Sequence, residues 1–297
     1  MNDPVVVTCA LTGAQQGKEA NPNLPEQPDE VIAQGLEAWR AGAAILHLHA
    51  RDAEGRATAD VGVFRRMVEG LREAGCDAVI NLTTGGAVAG LPLEERIRAV
   101  PELRPEIASF SVGGGALLGR FDGRAGEWVR DRFVPLFSSH AELEQVARTF
   151  LEHGVRPELE VYHAGMLNNL RALLDRGALA EPLFVNFVTG IPGEITEPSV
   201  KNLVFLVDGL PPGAVWQVSS IGARNHFRML GAIVALGGQV RVGMEDNVWI
   251  APGELASSNG QIVEKAVRIL RELGFEPATP AEARARLGLR GLEGEGS

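Results

Sequence analysis

Short apolar runs alternate with amphipathic stretches along the whole chain. The runs at 5–13, 45–51, 77–85, 107–113, 157–163, 183–190, 215–222 and 239–246 are rich in Val, Ile, Leu and Phe and end in Gly or charged residues, so they read as strands. The stretches at 28–42, 63–75, 93–100, 142–154, 166–177, 198–210, 229–238 and 260–274 repeat apolar residues at helical spacing. The first of these opens with Pro28, Asp29 and Glu30 and stops at Gly42, which are ordinary start and stop signals for a helix. Eight strand–helix units follow one another without a linker-like break. Strands alternating with helices make a parallel sheet, and eight units predict a closed (β/α)₈ TIM barrel, a single domain over 1–297. A doubly wound open sheet is the alternative; it needs an edge and usually fewer units. Two segments fall outside the repeat. Residues 114–139 are too long for an ordinary strand-to-helix connection and predict a lid or an oligomer contact, and a C-terminal tail begins at about 275.

The polar exceptions inside these strands carry the chemistry. In "AILHLHARD", His47 and His49 are two residues apart, so they share a strand face with Cα atoms ~6.6 Å apart at ~3.3 Å rise per residue. Leu46, Leu48 and Ala50 take the other face. Alone, the pair fits either hydrogen-bonded core histidines or two ligands of one metal ion. The last strand decides. In "QVRVGMEDN", Val240, Val242 and Met244 form the apolar face that packs on helices, which turns Arg241 and Glu245 into the barrel mouth, where active sites of this fold assemble. The same phase turns Glu158, Glu160, Asn81 and Thr83 inward. An ion-pair network would satisfy Arg241, Glu245 and Glu160 but would leave the convergent imidazoles without a reason. Two His and one carboxylate with an open position describe a catalytic zinc site; iron and manganese accept the same donors. Gly-rich turns at 83–86 and 190–194 are not nucleotide fingerprints, but at a barrel mouth their N–H groups, with the Thr83 hydroxyl, suit a carboxylate.

Composition removes several function classes. Among 297 residues the net charge is −10, which leaves no basic footprint for nucleic acid or an anionic membrane. The N-terminus lacks a signal-peptide pattern, and no apolar run approaches the ~20 residues of a membrane span. Two cysteines, Cys9 and Cys76, in apolar surroundings predict buried free thiols and a cytoplasmic location.

The motifs "HLHARD", "NLTTGG", "PELEVY", "IPG", "VRVGMEDN" and "SNGQIVEKAVRI" stand in the order and spacing of the β-keto acid cleavage enzymes, and the chain resembles that family from its first strand to about residue 290. The resemblance implies one Zn²⁺ per chain on His47, His49 and Glu245. It makes Asp246 the base, tuned by Arg241 and Glu160, and gives Thr83, Gly86 and Ser109 contacts to substrate. The reaction implied condenses a β-keto acid with acetyl-CoA and ends in retro-Claisen cleavage to acetoacetate and a new acyl-CoA, in a homo-oligomer that is a tetramer in the family. A metal-dependent hydrolase or lyase on the same barrel, or a non-catalytic metal or small-molecule binding protein, are the rival readings.

There are departures from the family pattern. Gln239 stands where relatives usually have His, "SFSVGGGALLG" replaces an Asn- and Met-containing version, and "GARNHF" fits the usual turn only with a one-residue shift. After the "TGA" turn, where a relative acting on an amino-bearing keto acid places an acid, this chain has Gln15. An amide cannot offset a desolvated ammonium as a carboxylate does, so the substrate expected is a neutral-tailed or extra-carboxylate β-keto acid.

Overall fold

The computed structural model describes residues 3–85, 91–122, 127–134, 139–193 and 195–291. Eight parallel strands close into a barrel: β1 (Val7–Ala10), β2 (Ile45–Leu48), β3 (Val79–Leu82), β4 (Ile107–Ser111), β5 (Arg156–Val161), β6 (Phe184–Thr189), β7 (Val215–Ser220) and β8 (Gln239–Val242). They are ordered as in the sequence, with β8 pairing back to β1 (Val7 with Val240, Thr8 with Arg241). Around them run α1 (Pro28–Arg40), α2 (Val61–Glu73), α3 (Leu93–Arg96), α4 (Ala99–Leu103), α5 (His140–Glu152), α6 (Met166–Asp175), α7 (Val200–Asp208), α8 (Leu230–Ala235), α9 (Asn259–Glu272) and α10 (Pro280–Leu287). The stretch expected as one helix at 93–100 is divided between α3 and α4. Several starts are fixed by side-chain caps: Asp60 accepts from Val63 N, Ser199 from Asn202 N, and Thr279 forms a capping box with Glu282.

The period-two pattern sorts the strands into two cores. Outward residues such as Leu46, Leu48, Ile80, Phe110, Leu159 and Val242 pack on the helices in one continuous cluster. Inward residues at the amino end, among them Val6, Ile45, Val79, Ile107 and Phe184, make a separate apolar floor with Ala283 and Leu287 of α10. The chain from 275, expected as a tail, therefore carries a helix that closes the bottom of the barrel. Gln239 belongs to this end: its Oε1 accepts from Val6 N (2.8 Å) and Arg286 (2.9 Å), far from the carboxyl ends of the strands. That departure from the family pattern has a packing role. In 114–139, the strands Gly115–Asp122 and Glu127–Val134 pair antiparallel as a hairpin. Cys9 and Cys76 are buried and free. Among the described residues no helix is long and apolar enough to cross a membrane.

Candidate active site

Above the apolar floor the barrel interior is polar. Glu158 on β5 is fully buried and accepts from Asn81 Nδ2 (2.7 Å) and Gln217 Nε2 (2.5 Å), while Gln217 Oε1 accepts from Thr8 Oγ1 (2.8 Å). Burial pushes the Glu158 carboxyl up to about 7, against the pull of Arg241. Directly above, His47 Nδ1 lies 3.9 Å from Glu158 Oε2.

His47, His49 and Glu245 converge. His47 Nε2 is 3.1 Å from His49 Nε2, His49 Nε2 is 3.3 Å from Glu245 Oε1, and His47 Nε2 is 3.6 Å from Glu245 Oε2. With ~2.0–2.1 Å bonds, neighbouring donors on a tetrahedral zinc lie about 3.3–3.4 Å apart, so the three atoms fit one small ion. Burial drives the His47 imidazole down to about 3, which leaves it neutral and ligand-ready at ordinary pH. Burial also opposes ionisation of Glu245, but His49, Arg241 and His47 outweigh it and hold that carboxyl well below its usual range. Glu245 Oε2 is buried with no hydrogen-bond donor. Charge balance points the same way. The Arg241 guanidinium faces three carboxylates, Glu158 (3.7 Å), Glu245 (2.8 Å) and Asp246 (3.0 Å), and a divalent cation would compensate the remainder.

The two acids of "MED" reach the site by a turn. The strand phase put Glu245 inward by extending the strand to 246, but β8 ends at Val242. Gly243 then takes φ +136°, where a Cβ would strike the Ala10 carbonyl, and the N–H groups of Asp246 and Asn247 turn back onto its oxygen (3.1 and 3.0 Å). Adjacent residues on a strand point to opposite faces; on this turn both serve Arg241. Its Nε donates to Asp246 Oδ2 (3.0 Å), and its Nη2 to Asp246 Oδ1 (3.1 Å) and Glu245 Oε1 (2.8 Å). Gly13, at φ +60°, leaves room for Glu245: a Cβ there would lie 2.6 Å from Glu245 Cγ.

Glu160 does not join Arg241. One layer nearer the mouth, it accepts from Ser111 Oγ (2.6 Å) and Tyr162 OH (3.0 Å), and the carboxylate beside Arg241 is Glu158. Both glutamates face inward as their spacing requires; their difference in height separates their partners. Thr83 lines a small cavity with His49, Gly85 and Arg96, its hydroxyl accepting from Gly85 N (3.0 Å). Ser109 is buried and braces that turn, its Oγ accepting from Thr84 N (3.3 Å). Gly86 lies outside the described residues. Gln15 is exposed, while its neighbour Gln16 donates to the carbonyls of Met244 (2.8 Å) and Glu245 (3.3 Å). Arg51, third in the alternation after His47 and His49, gathers the carbonyls of Thr12, Gly13, Gln16 and Gly55, and so folds the β1–α1 loop against Glu245. Its place in that alternation was the signal for it. For Gln16, nothing in the sequence distinguished it from Gln15.

The family model for the β-keto acid cleavage enzymes matches residues 4–289. The chain belongs to the β-keto acid cleavage enzyme family. It is an enzyme of the acyltransferase type. It is 37% identical over 290 residues to a 3-keto-5-aminohexanoate cleavage enzyme of Fusobacterium nucleatum, covering 98% of this chain and all of that one. It is 36% identical to a 3,5-dioxohexanoate:acetyl-CoA acetone transferase of Paraburkholderia graminis, covering 97% and 96% of the two. In structure it is similar to ObcA, with a TM-score of 0.74, 20% identity, and coverage of 91% of this chain and 66% of that one, a likeness of fold.

Proposed function

We propose that this member of the family is a zinc-dependent enzyme that condenses a β-keto acid with acetyl-CoA and releases acetoacetate and a new acyl-CoA. The observation that carries the reading is the sharing of Arg241 between the metal-ready carboxylate Glu245 and the buried carboxylate Asp246. A divalent ion on His47, His49 and Glu245 would supply Lewis acidity toward the keto and carboxylate oxygens of the substrate.

The protein's own groups do the rest. Asp246 removes the proton from the carbon between ketone and carboxylate, and the two hydrogen bonds from Arg241 aim it. That carbon bonds to the acetyl carbonyl of acetyl-CoA, and the CoA thiolate leaves. The thiolate then attacks the original keto carbon, the bond from there to the former nucleophilic carbon breaks, and the electron pair left behind takes the proton back from Asp246. Thr83, whose hydroxyl oxygen already accepts from Gly85 N, offers its O–H proton to the substrate carboxylate. Glu158 lies below His47 and Arg241, 3.9 and 3.7 Å away, and faces the Arg241 guanidinium without a hydrogen bond to it.

We further propose a neutral-tailed or extra-carboxylate substrate, because Gln15 stands at the loop over the mouth where an acid would pair with an ammonium group. The test is a panel of β-keto acids incubated with and without acetyl-CoA and read by mass spectrometry. Strict dependence on acetyl-CoA with paired acetoacetate and acyl-CoA products is expected. Turnover with water alone would replace the proposal by a hydrolase or lyase, and no turnover across the panel by a binding protein.

A further inference from the structure

The segment "SNG" before the last long amphipathic stretch has no part in the chemistry above, yet its asparagine is buried completely. Ser258 caps α9, accepting from Gln261 N (3.2 Å), which leaves Asn259 as the first helical residue. At Gly260 a Cβ would lie 3.0 Å from Glu37 Cβ, so the helix end sits tight against α1 and Asn259 reaches the strands.

Every polar atom of the Asn259 side chain is used. Its Oδ1 accepts from Met244 N (2.9 Å) and stands 3.6 Å from Cys9 Sγ. Its Nδ2 donates to the Leu11 carbonyl (2.9 Å) and to Gln34 Oε1 (2.7 Å), and Gln34 Oε1 also takes the Asn259 N–H (2.9 Å). The two backbone partners are the ones that matter. Met244 immediately precedes Glu245. Leu11 follows β1, the strand between β8, which leads to Glu245, and β2, which carries His47. From the other side Leu11 N donates to the His47 carbonyl (3.2 Å), and Glu245 N donates to the Ala10 carbonyl (3.1 Å). The distance between the histidine half and the glutamate half of the ligand set is therefore spanned across the end of β1, and one amide pins that end to the turn that carries Glu245.

We infer that Asn259 is a positioning residue that sets the spacing between His47/His49 and Glu245 from outside the barrel. The inference rests on the metal reading above. A side chain that only packed α9 would not need a donor and an acceptor on two different strand ends, and an apolar residue of the same size would fill the space.

The experiment compares Asn259→Ser with Leu270→Ala, a core truncation on the same helix, in zinc competition against a chromophoric chelator and in thermal unfolding of metal-free and zinc-loaded protein. Both variants should melt earlier than wild type. Asn259→Ser should bind zinc roughly 10–100-fold more weakly, as removal of a group supporting a metal ligand does, while Leu270→Ala should stay within about twofold. Equal zinc affinity in the two variants would overturn the inference. If Asn259→Ser does not fold, Gln34→Ala decides: it removes the acceptor that orients Asn259 Nδ2 and N–H toward the strand ends without opening the core, so a several-fold loss of affinity supports the role and unchanged affinity overturns it. Wild-type protein that binds no zinc would overturn the metal reading itself; wild type that binds, with Asn259→Ser unaffected, would overturn only the role of Asn259.

Discussion

Replacing Glu158 by Gln isolates the cost of a buried carboxyl beneath the metal ligands. Both Glu158 oxygens accept hydrogen bonds, from Asn81 and Gln217. A glutamine turns one of them into a donor, but Asn81 Oδ1 is buried with no partner, so a flip of the Asn81 amide offers the acceptor that the new N–H₂ needs. The substitution thus keeps the side-chain shape and a partner for each atom at position 158 and removes the titration. Burial raises the native carboxyl to about 7 from an ordinary 4.5. Since the folded value is the higher one, this group's contribution is complete below about 4.5 and is lost as pH rises through 7. At ~1.4 kcal/mol per unit the loss is about 3 kcal/mol, and about 2–3 kcal/mol between pH 5 and 8.5. The assay is denaturant unfolding of chelator-treated wild type and Glu158→Gln at those two pH values. Glu158→Gln should gain about 2–3 kcal/mol on wild type from the acid to the alkaline condition. A stability difference that is the same at both would mean that Glu158 is already ionised at pH 5, and would refute the burial argument.

Three further outcomes are expected. Single alanine substitutions of His47, His49 and Glu245 should each abolish stoichiometric zinc in metal analysis of purified protein, because a three-donor site cannot spare one; full occupancy in His49→Ala contradicts the ligand set. Asp246→Asn should keep zinc and lose roughly 10²–10⁴-fold in kcat, whereas near-wild-type turnover would show that another group is the base. Gln15→Glu should raise kcat/KM for an ammonium-bearing β-keto acid relative to a neutral-tailed one, and an unchanged ratio would remove Gln15 from substrate selection.

The barrel was legible because its signals are local and repeated: each strand is an apolar run and each helix an amphipathic one. The segment from 275 was harder, because α10 buries only Ala283, Arg284 and Leu287 and carries little apolar periodicity of its own. His47 and His49 announced themselves as polar residues in an apolar strand. Glu245 was placed inward by a phase that does not reach it; the turn at Gly243 brings it in, together with Asp246, and a positive φ is invisible to period-two reasoning. Glu160 and Glu158 share a face, and sequence spacing says nothing about height above the floor, so Arg241 was paired with the wrong one. Asn259 reaches Leu11 and Gln16 reaches Met244 across more than 200 residues of sequence, and no local pattern encodes those contacts.

The central claim is that carbon atoms are exchanged between a β-keto acid and acetyl-CoA. Acetyl-CoA labelled with ¹³C in both acetyl carbons, incubated with zinc-loaded enzyme and an unlabelled β-keto acid, tests it directly. The account predicts acetoacetate labelled only at its ketone and methyl carbons, with one unlabelled acyl-CoA formed for each. Unlabelled products, or consumption of the keto acid without a matching acyl-CoA, would contradict it.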